Sequence, residues 1–284
     1  MSYNEGYHIG IDLGGTQIRC GLVQNGELKK IVQSRITAKG SAEEVLREVI
    51  QLTKEISGPS CQGIGIGVPG LVDLEEGVVY DVVNIPSWTR MELKQRMEEQ
   101  FRVPVIINND ANCFALGEYY SGNSKGTACM AGLTIGTGLG CGIILDGRLY
   151  SGKNCGAGEF GMISYLDQNY EYYSSGQFFS NVYNRDGESV FKDAQAGDPF
   201  ALNMYQEMGK HLGNAIKTIL YALDIELVVL GGSVRQAFPY FSQAMWNSIR
   251  DFGFRKTLQE LRIEVSQLEN SGILGAAALC YEVT

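Results

Sequence analysis

The sequence predicts an α/β fold built from two similar domains that face one cleft. The first part of the chain has the pattern of three hairpin-linked strands followed by alternating strands and helices, which indicates a mixed sheet covered by helices. The Gly-Thr, Cys-Gly, Gly and Leu positions of its first hairpin recur without a gap 121 residues later, which indicates a duplication. A chance similarity between two glycine-rich hairpins is the alternative.

The elements of the first domain follow from local signals in chain order. An apolar run predicts the first strand, the second follows the turn Gly14-Gly15-Thr16, and Asn25-Gly26 predicts the hairpin into the third. Ser41 and Glu44 have the spacing of a capping box, and apolar residues continue at helical spacing to Ile56. Four further elements are then predicted: a strand at 63–68, a helix from about 90 to 101, a strand at 103–108 and a helix at 111–120.

The second domain begins with the duplicated hairpin. Asp198 and Pro199 predict the start of a long helix that continues to Leu223. A strand at Leu227–Leu230 and a closing helix of small residues at Leu274–Cys280 follow. We therefore expect an N-terminal domain at residues 1–118, completed by a C-terminal helix at 272–284, and a C-terminal domain at residues 119–271.

The composition narrows the class of protein. The chain has 284 residues, of which 44% are hydrophobic, so it can form an ordinary globular core. Its net charge of −9 disfavours general binding to nucleic acid. The apolar runs are too short to cross a membrane, and the polar N-terminus lacks the layout of a signal peptide, so a cytoplasmic protein is expected. Seven cysteines without a Cys-x-x-Cys pair, and two histidines, support neither a disulfide framework nor a metal site.

Two glycine turns are candidates for binding phosphate. Asp12 stands at the end of the first strand, directly before Leu13 and the glycines Gly14 and Gly15, and Thr16 follows them. Glycine lets main-chain N–H groups approach an anion closely, and the threonine hydroxyl adds a donor. Gly136-Thr137-Gly138 repeats this arrangement in the second half. Either turn alone is more often a plain hairpin, so the prediction depends on the pair.

A literal dinucleotide fingerprint, Gly-x-Gly-x-x-Gly, also occurs at residues 65–70. Its context is wrong, because Pro69 and Gly70 turn the chain where that motif must open a helix. The chain also has no Gly-Lys-Ser or Gly-Lys-Thr for a P-loop. Nicotinamide binding is therefore not expected.

Polar side chains in three other segments suit a polyhydroxy ligand. Asn109 and Asp110 follow an apolar strand and precede a helix, where the carboxylate can act as a general base; a simple helix cap is the alternative. Asn84 and Trp88 stand in one loop, where the tryptophan either stacks on a sugar or packs beneath the loop. Glu159 stands in a glycine-rich loop, as a ligand-binding carboxylate or a solvated turn residue.

Taken in order, these motifs resemble the ROK family of sugar kinases and repressors, which has the actin-like ATPase (ribonuclease H-like) fold. The segments that carry the resemblance, besides the two phosphate turns and Asn109-Asp110, are Asn84-x-Pro86-x-Trp88, Ala157-Gly158-Glu159-x-Gly161 and the Gly231-Gly232 turn. The resemblance implies that Asp110 is the catalytic base and that Asn84, Asn109, Asp110 and Glu159 bind the sugar. It also implies that Asp12, Gly14, Gly15, Thr16, Thr137, Gly138, Gly231 and Gly232 bind ATP with its Mg²⁺, and that the protein is a homodimer.

The chain departs from the family pattern at its zinc site. Met162 stands where most members have a histidine ligand. With Gly176 as the anchor of the alignment, the positions of the cysteine ligands hold Tyr170, Tyr172 and Gln177, and Phe179 holds the place of a sugar-binding glutamate. These side chains are unsuited to Zn²⁺, so no structural zinc is expected.

Three functions remain open at this point. The first is an ATP-dependent hexose kinase of the glucokinase type that phosphorylates the 6-hydroxyl. The second is a kinase for N-acetylmannosamine or a β-glucoside, because Met162 and Phe179 are apolar where the family recognises the anomeric end of the sugar. The third is a sugar-responsive regulator without kinase activity. Repressors of the family carry a DNA-binding domain before the first turn, and Asp12 leaves no room for one, so a kinase is expected.

Overall fold

The computed structural model describes residues 6–82, 84–122 and 124–282. The elements of its first part are β1 Tyr7–Leu13, β2 Gln17–Gln24, β3 Glu27–Arg35, α1 Ala42–Lys54, β4 Cys61–Val68, β5 Leu71–Asp73, β6 Val78–Tyr80, β7 Arg90–Met91, α2 Leu93–Phe101, β8 Val105–Asn109 and α3 Asp110–Ser121. These elements contain one five-stranded sheet of order β3-β2-β1-β4-β8 and one small sheet of order β5-β6-β7.

The remaining strands are β9 Met130–Ile135, β10 Leu139–Leu145, β11 Arg148–Leu149, β12 Ser164–Tyr165, β13 Gln168–Asn169, β14 Leu227–Gly231 and β15 Arg262–Val265. The remaining helices are α4 Tyr170–Ser174, α5 Phe178–Tyr183, α6 Gly187–Gln195, α7 Pro199–Leu223, α8 Phe238–Ile249, α9 Arg255–Glu260 and α10 Ser271–Glu282, with 3₁₀ turns at Phe160–Met162 and Ser233–Ala237. The mixed α/β class predicted from the sequence is confirmed.

The predicted duplication is visible in the strand order. The second five-stranded sheet has the order β11-β10-β9-β14-β15, which matches that of the first sheet strand for strand. The two hairpins also use the same turn, since Asn25 and Gly26 have φ values of 53° and 75° and Asp146 and Gly147 have 51° and 74°. Two consecutive residues at positive φ are typical of the tight type I′ turn. A chance similarity between unrelated hairpins does not explain a shared turn and a shared sheet order.

The predicted helix starts are borne out where a capping side chain marks them. Ser41 and Glu44 form the complete capping box of α1, and Asp198 caps α7 with Pro199 in its first turn. The helix predicted from about residue 90 is wrong at its start, because Arg90 and Met91 form β7 and pair with β6. That pairing depends on a strand ten residues earlier in the chain, and no local signal marks it.

The chain forms two compact units. The first contains the residues up to Gly126, Gly142–Ala157 and the residues from Gln267 onward, and the second contains Thr127–Cys141 and Gly158–Ser266. The first unit thus includes Gly142–Ala157, a segment that the predicted division assigned to the C-terminal domain. The predicted boundaries at residues 118 and 271 stay a prediction.

The core of the first unit explains several of its glycines. A Cβ atom at Gly65 on β4 would lie 1.7 Å from the carbonyl oxygen of Ala276 on α10. A Cβ atom at Gly275 on α10 would lie 1.6 Å from the carbonyl oxygen of Cys113 on α3. These glycines allow α10 to pack in backbone contact with the sheet and with α3. Across the described residues, no helix has the length and apolar character needed to span a bilayer.

Candidate active site

The first predicted phosphate turn follows β1 in the first unit. Asp12 lies opposite Arg19 in the β1–β2 ladder, and its carboxylate forms an ion pair with the Arg19 guanidinium. The N–H of Gly14 donates to the carbonyl of Gln17 at 2.9 Å and closes the turn, on which Thr16 is exposed. A half-buried carboxylate oxygen at such a turn fits the hydrated Mg²⁺ that accompanies a nucleotide, because Mg²⁺ prefers oxygen ligands and keeps several waters.

The turn contacts the predicted sugar loop directly. A Cβ atom at Gly15 would lie 2.3 Å from the Cβ of Asn84, so only glycine allows this approach. The Asn84 side chain is itself exposed. Trp88 is fully buried, and its indole N–H donates to the carbonyl of Ala42 at 3.2 Å. Of the two interpretations of this tryptophan, packing beneath the loop is therefore the one observed.

Asn109 and Asp110 divide the tasks of the predicted strand–helix junction. Asn109 is the N-cap of α3: its side-chain oxygen accepts from the N–H of Ala111 at 2.9 Å, and its amide donates to the carbonyl of Gly70 at 3.3 Å. Asp110 is the first residue of the helix and is exposed, and its Oδ1 also accepts from the N–H of Ala111 at 2.9 Å. The exposed Asp110 carboxylate is placed to receive a proton from a ligand at the start of α3.

A buried polar cluster, which we call the Asn108 cluster, lies next to this junction. The Oδ1 atom of Asn108 accepts from the N–H of Asn109 and the amide of Asn112, each at 2.9 Å, and from the thiol of Cys155 at 2.8 Å. Its amide donates to the hydroxyl of Ser151 at 3.1 Å. The cluster ties the Ser151–Cys155 loop to the segment that carries the candidate base. The four-residue spacing of Asn108 and Asn112 hinted at one of these contacts; nothing local in the sequence pointed to Cys155.

The second predicted phosphate turn, Gly136-Thr137-Gly138, lies in the second unit with the loop that carries Glu159. Gly158 in that loop has a φ of 99°, and a Cβ there would lie 2.0 Å from the carbonyl oxygen of Cys141. Gly161 approaches the carbonyl of Leu139 in the same way, at 2.6 Å for its added Cβ. These close approaches fix the loop against the start of β10 and leave the Glu159 side chain exposed.

A second carboxylate belongs to this site, and the sequence alignment missed it. Glu171 on α4 accepts from the N–H of Leu139 at 2.9 Å. The pKa of the Glu159 carboxyl is raised, first by partial loss of solvent and then by the negative charge of Glu171. Phe179, to which the alignment gave the place of a glutamate, is instead buried against Phe178 and Tyr205. The alignment anchored on Gly176 assigns the glutamate position to Phe179, whereas the carboxylate near Glu159 comes from Glu171, five residues before that anchor.

The Gly231-Gly232 turn, implied to bind ATP, leads into a cavity of about 500 Å³ that lies wholly within the second unit. Gly231 ends β14, and Gly232 has a φ of 77° with its backbone against Ile135, whose carbonyl oxygen would lie 2.3 Å from an added Cβ. Ser233 then lines the cavity. The lining combines the aromatic and apolar side chains of Phe179, Phe191, Tyr205 and Val234 with the polar side chains of Thr137 and Gln236. A cavity of this size and mixture suits a nucleoside, whose base offers an apolar face and polar edges.

The side chains at the positions of the family's zinc ligands make other contacts. The hydroxyl of Tyr170 lies 2.8 Å from that of Thr218, and the hydroxyl of Tyr172 donates to the carbonyl of Asn181 at 3.2 Å. Met162 is 60% exposed. Within the part of the chain that the structure describes, no group of three or more His, Cys, Asp or Glu residues is arranged to hold a metal ion.

The chain is similar to known sugar kinases along nearly its whole length. The chain is 29% identical to a glucokinase of Thermotoga maritima, covering 96% of this chain and 97% of that protein. It is also 29% identical to an N-acetyl-D-glucosamine kinase of Pasteurella multocida, covering 95% and 98% respectively. Among solved structures, a ROK family glucokinase from Streptomyces griseus in complex with glucose and AMPPNP superposes with a TM-score of 0.82 at 26% identity, covering 96% of this chain and 99% of that one.

The fold shared with such neighbours is the actin-like ATPase fold that the resemblance to the ROK family implies. The family model for the ROK family matches residues 8–283, which is nearly the whole chain. The chain therefore belongs to the ROK family.

Proposed function

We propose that this protein is an ATP-dependent sugar kinase that phosphorylates a hexose, with the 6-hydroxyl as acceptor as in a glucokinase. The observation that carries the proposal is the exposed carboxylate of Asp110 at the start of α3, beside the amide of Asn109 and in the same unit as the Asp12 turn. This arrangement supplies a base, a hydroxyl-binding amide and a phosphate-binding turn. Phosphoryl transfer needs little beyond positioning and charge stabilisation.

In the proposed reaction, Asp110 accepts the proton of the sugar hydroxyl as that oxygen attacks the γ-phosphorus of ATP. The new O–P bond forms as the bond from the γ-phosphorus to the bridging oxygen breaks, and ADP leaves with the electron pair. The glycine turns after Asp12 and before Leu139 bind phosphate through main-chain N–H groups. Mg²⁺, which the Asp12 carboxylate would hold through its oxygen atoms, supplies charge neutralisation on the phosphates.

Amide and carboxylate side chains are assigned to recognition of the sugar. Asn84, Asn109 and Asp110 in the first unit present amide and carboxylate groups that bond hydroxyls. In the second unit, Glu159 and Glu171 are paired carboxylates, and each accepts strong hydrogen bonds from hydroxyls when ionised. The ATP base and ribose are assigned to the cavity that follows the Gly231-Gly232 turn.

The identity of the sugar is part of the proposal, since curated relatives include both glucokinases and N-acetyl-D-glucosamine kinases. The exposed thioether of Met162, three residues after Glu159, also supports a substrate with an apolar substituent, such as N-acetylmannosamine or a β-glucoside. ADP release in the presence of ATP should therefore be measured with four sugars: glucose, N-acetylglucosamine, N-acetylmannosamine and a β-glucoside. We expect glucose to have the highest kcat/KM.

Deoxy sugars test the acceptor hydroxyl. We expect 2-deoxyglucose to be phosphorylated and 6-deoxyglucose to bind without turnover. Turnover of 6-deoxyglucose would assign another hydroxyl. Absence of ATP-dependent phosphorylation for every sugar would overturn the kinase proposal in favour of a regulator. The expected homodimer is checked independently by sedimentation velocity.

A further inference from the structure

The turn Gly136-Thr137-Gly138 is held at two successive carbonyls by one short segment. The N–H of Gly176 donates to the carbonyl of Gly136 at 2.7 Å. The side-chain amide of the next residue, Gln177, donates to the carbonyl of Thr137 at 2.8 Å. Both donors come from the residues that link α4 to α5, so adjacent residues of the linker bind adjacent residues of the turn.

These two bonds set the direction of the turn's N–H groups. In a trans peptide the carbonyl and the following N–H point in opposite directions. Fixing the Gly136 carbonyl therefore directs the N–H of Thr137 away from the linker, and fixing the Thr137 carbonyl directs the N–H of Gly138 away from Gln177. Successive N–H groups held in this way form a concave site for an anion.

The main-chain N–H of Leu139, directly after the turn, has a carboxylate partner. The N–H of Leu139 donates to the Glu171 carboxylate at 2.9 Å, and a Cβ at Gly138 would lie 2.5 Å from the same carboxylate oxygen. Glu171 thus binds the main chain at the end of the turn, whereas Gln177 orients the peptide between Thr137 and Gly138. Glutamine supplies a neutral donor for this purpose and brings no negative charge toward a phosphate.

We propose that Gln177 is a positioning residue for phosphate binding: by holding the Thr137 carbonyl, it aims the Gly138 N–H at a phosphate oxygen of the bound nucleotide. This inference rests on the proposed function, in which the turn binds the phosphates of ATP. Gln177 also lines the cavity assigned to the nucleoside, so direct contact with the base or ribose is the competing role that the experiment must separate.

The test is calorimetric binding of AMPPNP with Mg²⁺, and of adenosine, to the full chain and to Gln177→Ala and Gln177→Glu. Loss of one hydrogen bond should weaken AMPPNP binding by about 3- to 10-fold in Gln177→Ala and leave adenosine binding unchanged. The isosteric Gln177→Glu lacks the donor at neutral pH and adds a negative charge, so its loss should be at least as large. Gln243→Ala is the matched control, because the exposed Gln243 amide donates to Asn247 on the same helix, α8, outside the cavity.

The outcomes separate this inference from the proposed function. If wild-type protein binds AMPPNP and Gln177→Ala binds it equally well, the positioning role is wrong and the kinase proposal stands. An equal loss for adenosine and AMPPNP would assign Gln177 to the nucleoside and would also overturn the positioning role. Failure of the wild-type protein to bind AMPPNP would contradict the proposed function itself.

Discussion

The thiol of Cys155 donates a hydrogen bond to the side-chain oxygen of Asn108 at 2.8 Å. Both residues are buried, and Asn108 also accepts from the N–H of Asn109, the residue that caps α3 beside Asp110. Removal of the thiol leaves Asn108 with its other donors but releases the loop that follows Ser151. Cys155 therefore holds the candidate base in place through Asn108 and Asn109.

Substitution of Cys155 tests this link with a matched pair of variants. Cys155→Ser keeps a donor of similar size, so we expect activity within about twofold of wild type. Cys155→Ala removes the donor, and the free energy of unfolding should fall by about 1 kcal/mol, with a several-fold loss of kcat. Both variants keep a side chain at the φ of 59° that Cys155 adopts, so backbone strain is common to the pair. Equal kcat in the two variants would show that the thiol has no positioning role.

Gly232 should be sensitive to a single added methyl group. Its φ of 77° and the 2.3 Å distance from an added Cβ to the carbonyl oxygen of Ile135 make both conformation and space unfavourable for alanine. Gly197 provides a control for positive φ, since its φ is 82° and an added Cβ meets nothing within 4 Å, whereas Gly232 combines positive φ with an extended ψ of 176°.

For Gly197→Ala we expect the free energy of unfolding to fall by about 1–2 kcal/mol, the cost of the left-handed conformation alone. Gly232→Ala should lose more than this and should bind AMPPNP at least about tenfold more weakly, because the turn before the cavity must shift. Chemical denaturation and calorimetry measure the two quantities. Equal losses of stability in the two variants would show that the Ile135 contact does not constrain the turn.

His211 makes the stability of the second unit sensitive to acid. Burial lowers the pKa of His211 from its usual 6.5, against the smaller opposing effect of the Glu207 charge. The unfolded chain therefore takes up a proton at a pH where the folded protein does not. The contribution of neutral His211 to the free energy of unfolding is complete above pH 6.5. It is lost as the pH falls toward the pKa of His211 in the folded protein.

Denaturation between pH 7 and 5 measures this effect. Each such histidine adds a slope of up to about 1.4 kcal/mol per pH unit, and we expect His211→Gln to reduce the slope. His8, whose pKa burial also lowers, accounts for the other histidine of the chain. An unchanged slope in His211→Gln, or an NMR titration of His211 near its usual 6.5, would contradict the expectation.

The elements that the sequence predicted correctly carry their signals locally. The Ser41–Glu44 box and the Asp198–Pro199 start act within one turn of helix, and the duplicated hairpins depend on two consecutive residues at positive φ. Arg90 and Met91 were misassigned because their strand exists only through pairing with β6. Local patterns therefore predicted helix starts and hairpin turns, whereas the short strand β7 depends on pairing with a distant segment.

The candidate site was predictable to a similar extent. Gly15 and Asn84 were proposed separately as phosphate and sugar residues, and the structure places them in contact. Glu171 was missed because a single glycine anchored the alignment in a segment that differs from the family pattern. The packing role of Gly65 was invisible as well, since its partner Ala276 lies more than two hundred residues away.

Asp110→Asn provides the most direct test of the proposed mechanism, with ADP release measured on the best sugar and sugar affinity measured by calorimetry. The substitution keeps shape and hydrogen bonding but removes the base, so kcat/KM should fall by about 10²–10⁴-fold while the protein stays folded and still binds sugar. An Asp110→Asn variant with wild-type kcat/KM would contradict the assignment of Asp110 as the catalytic base.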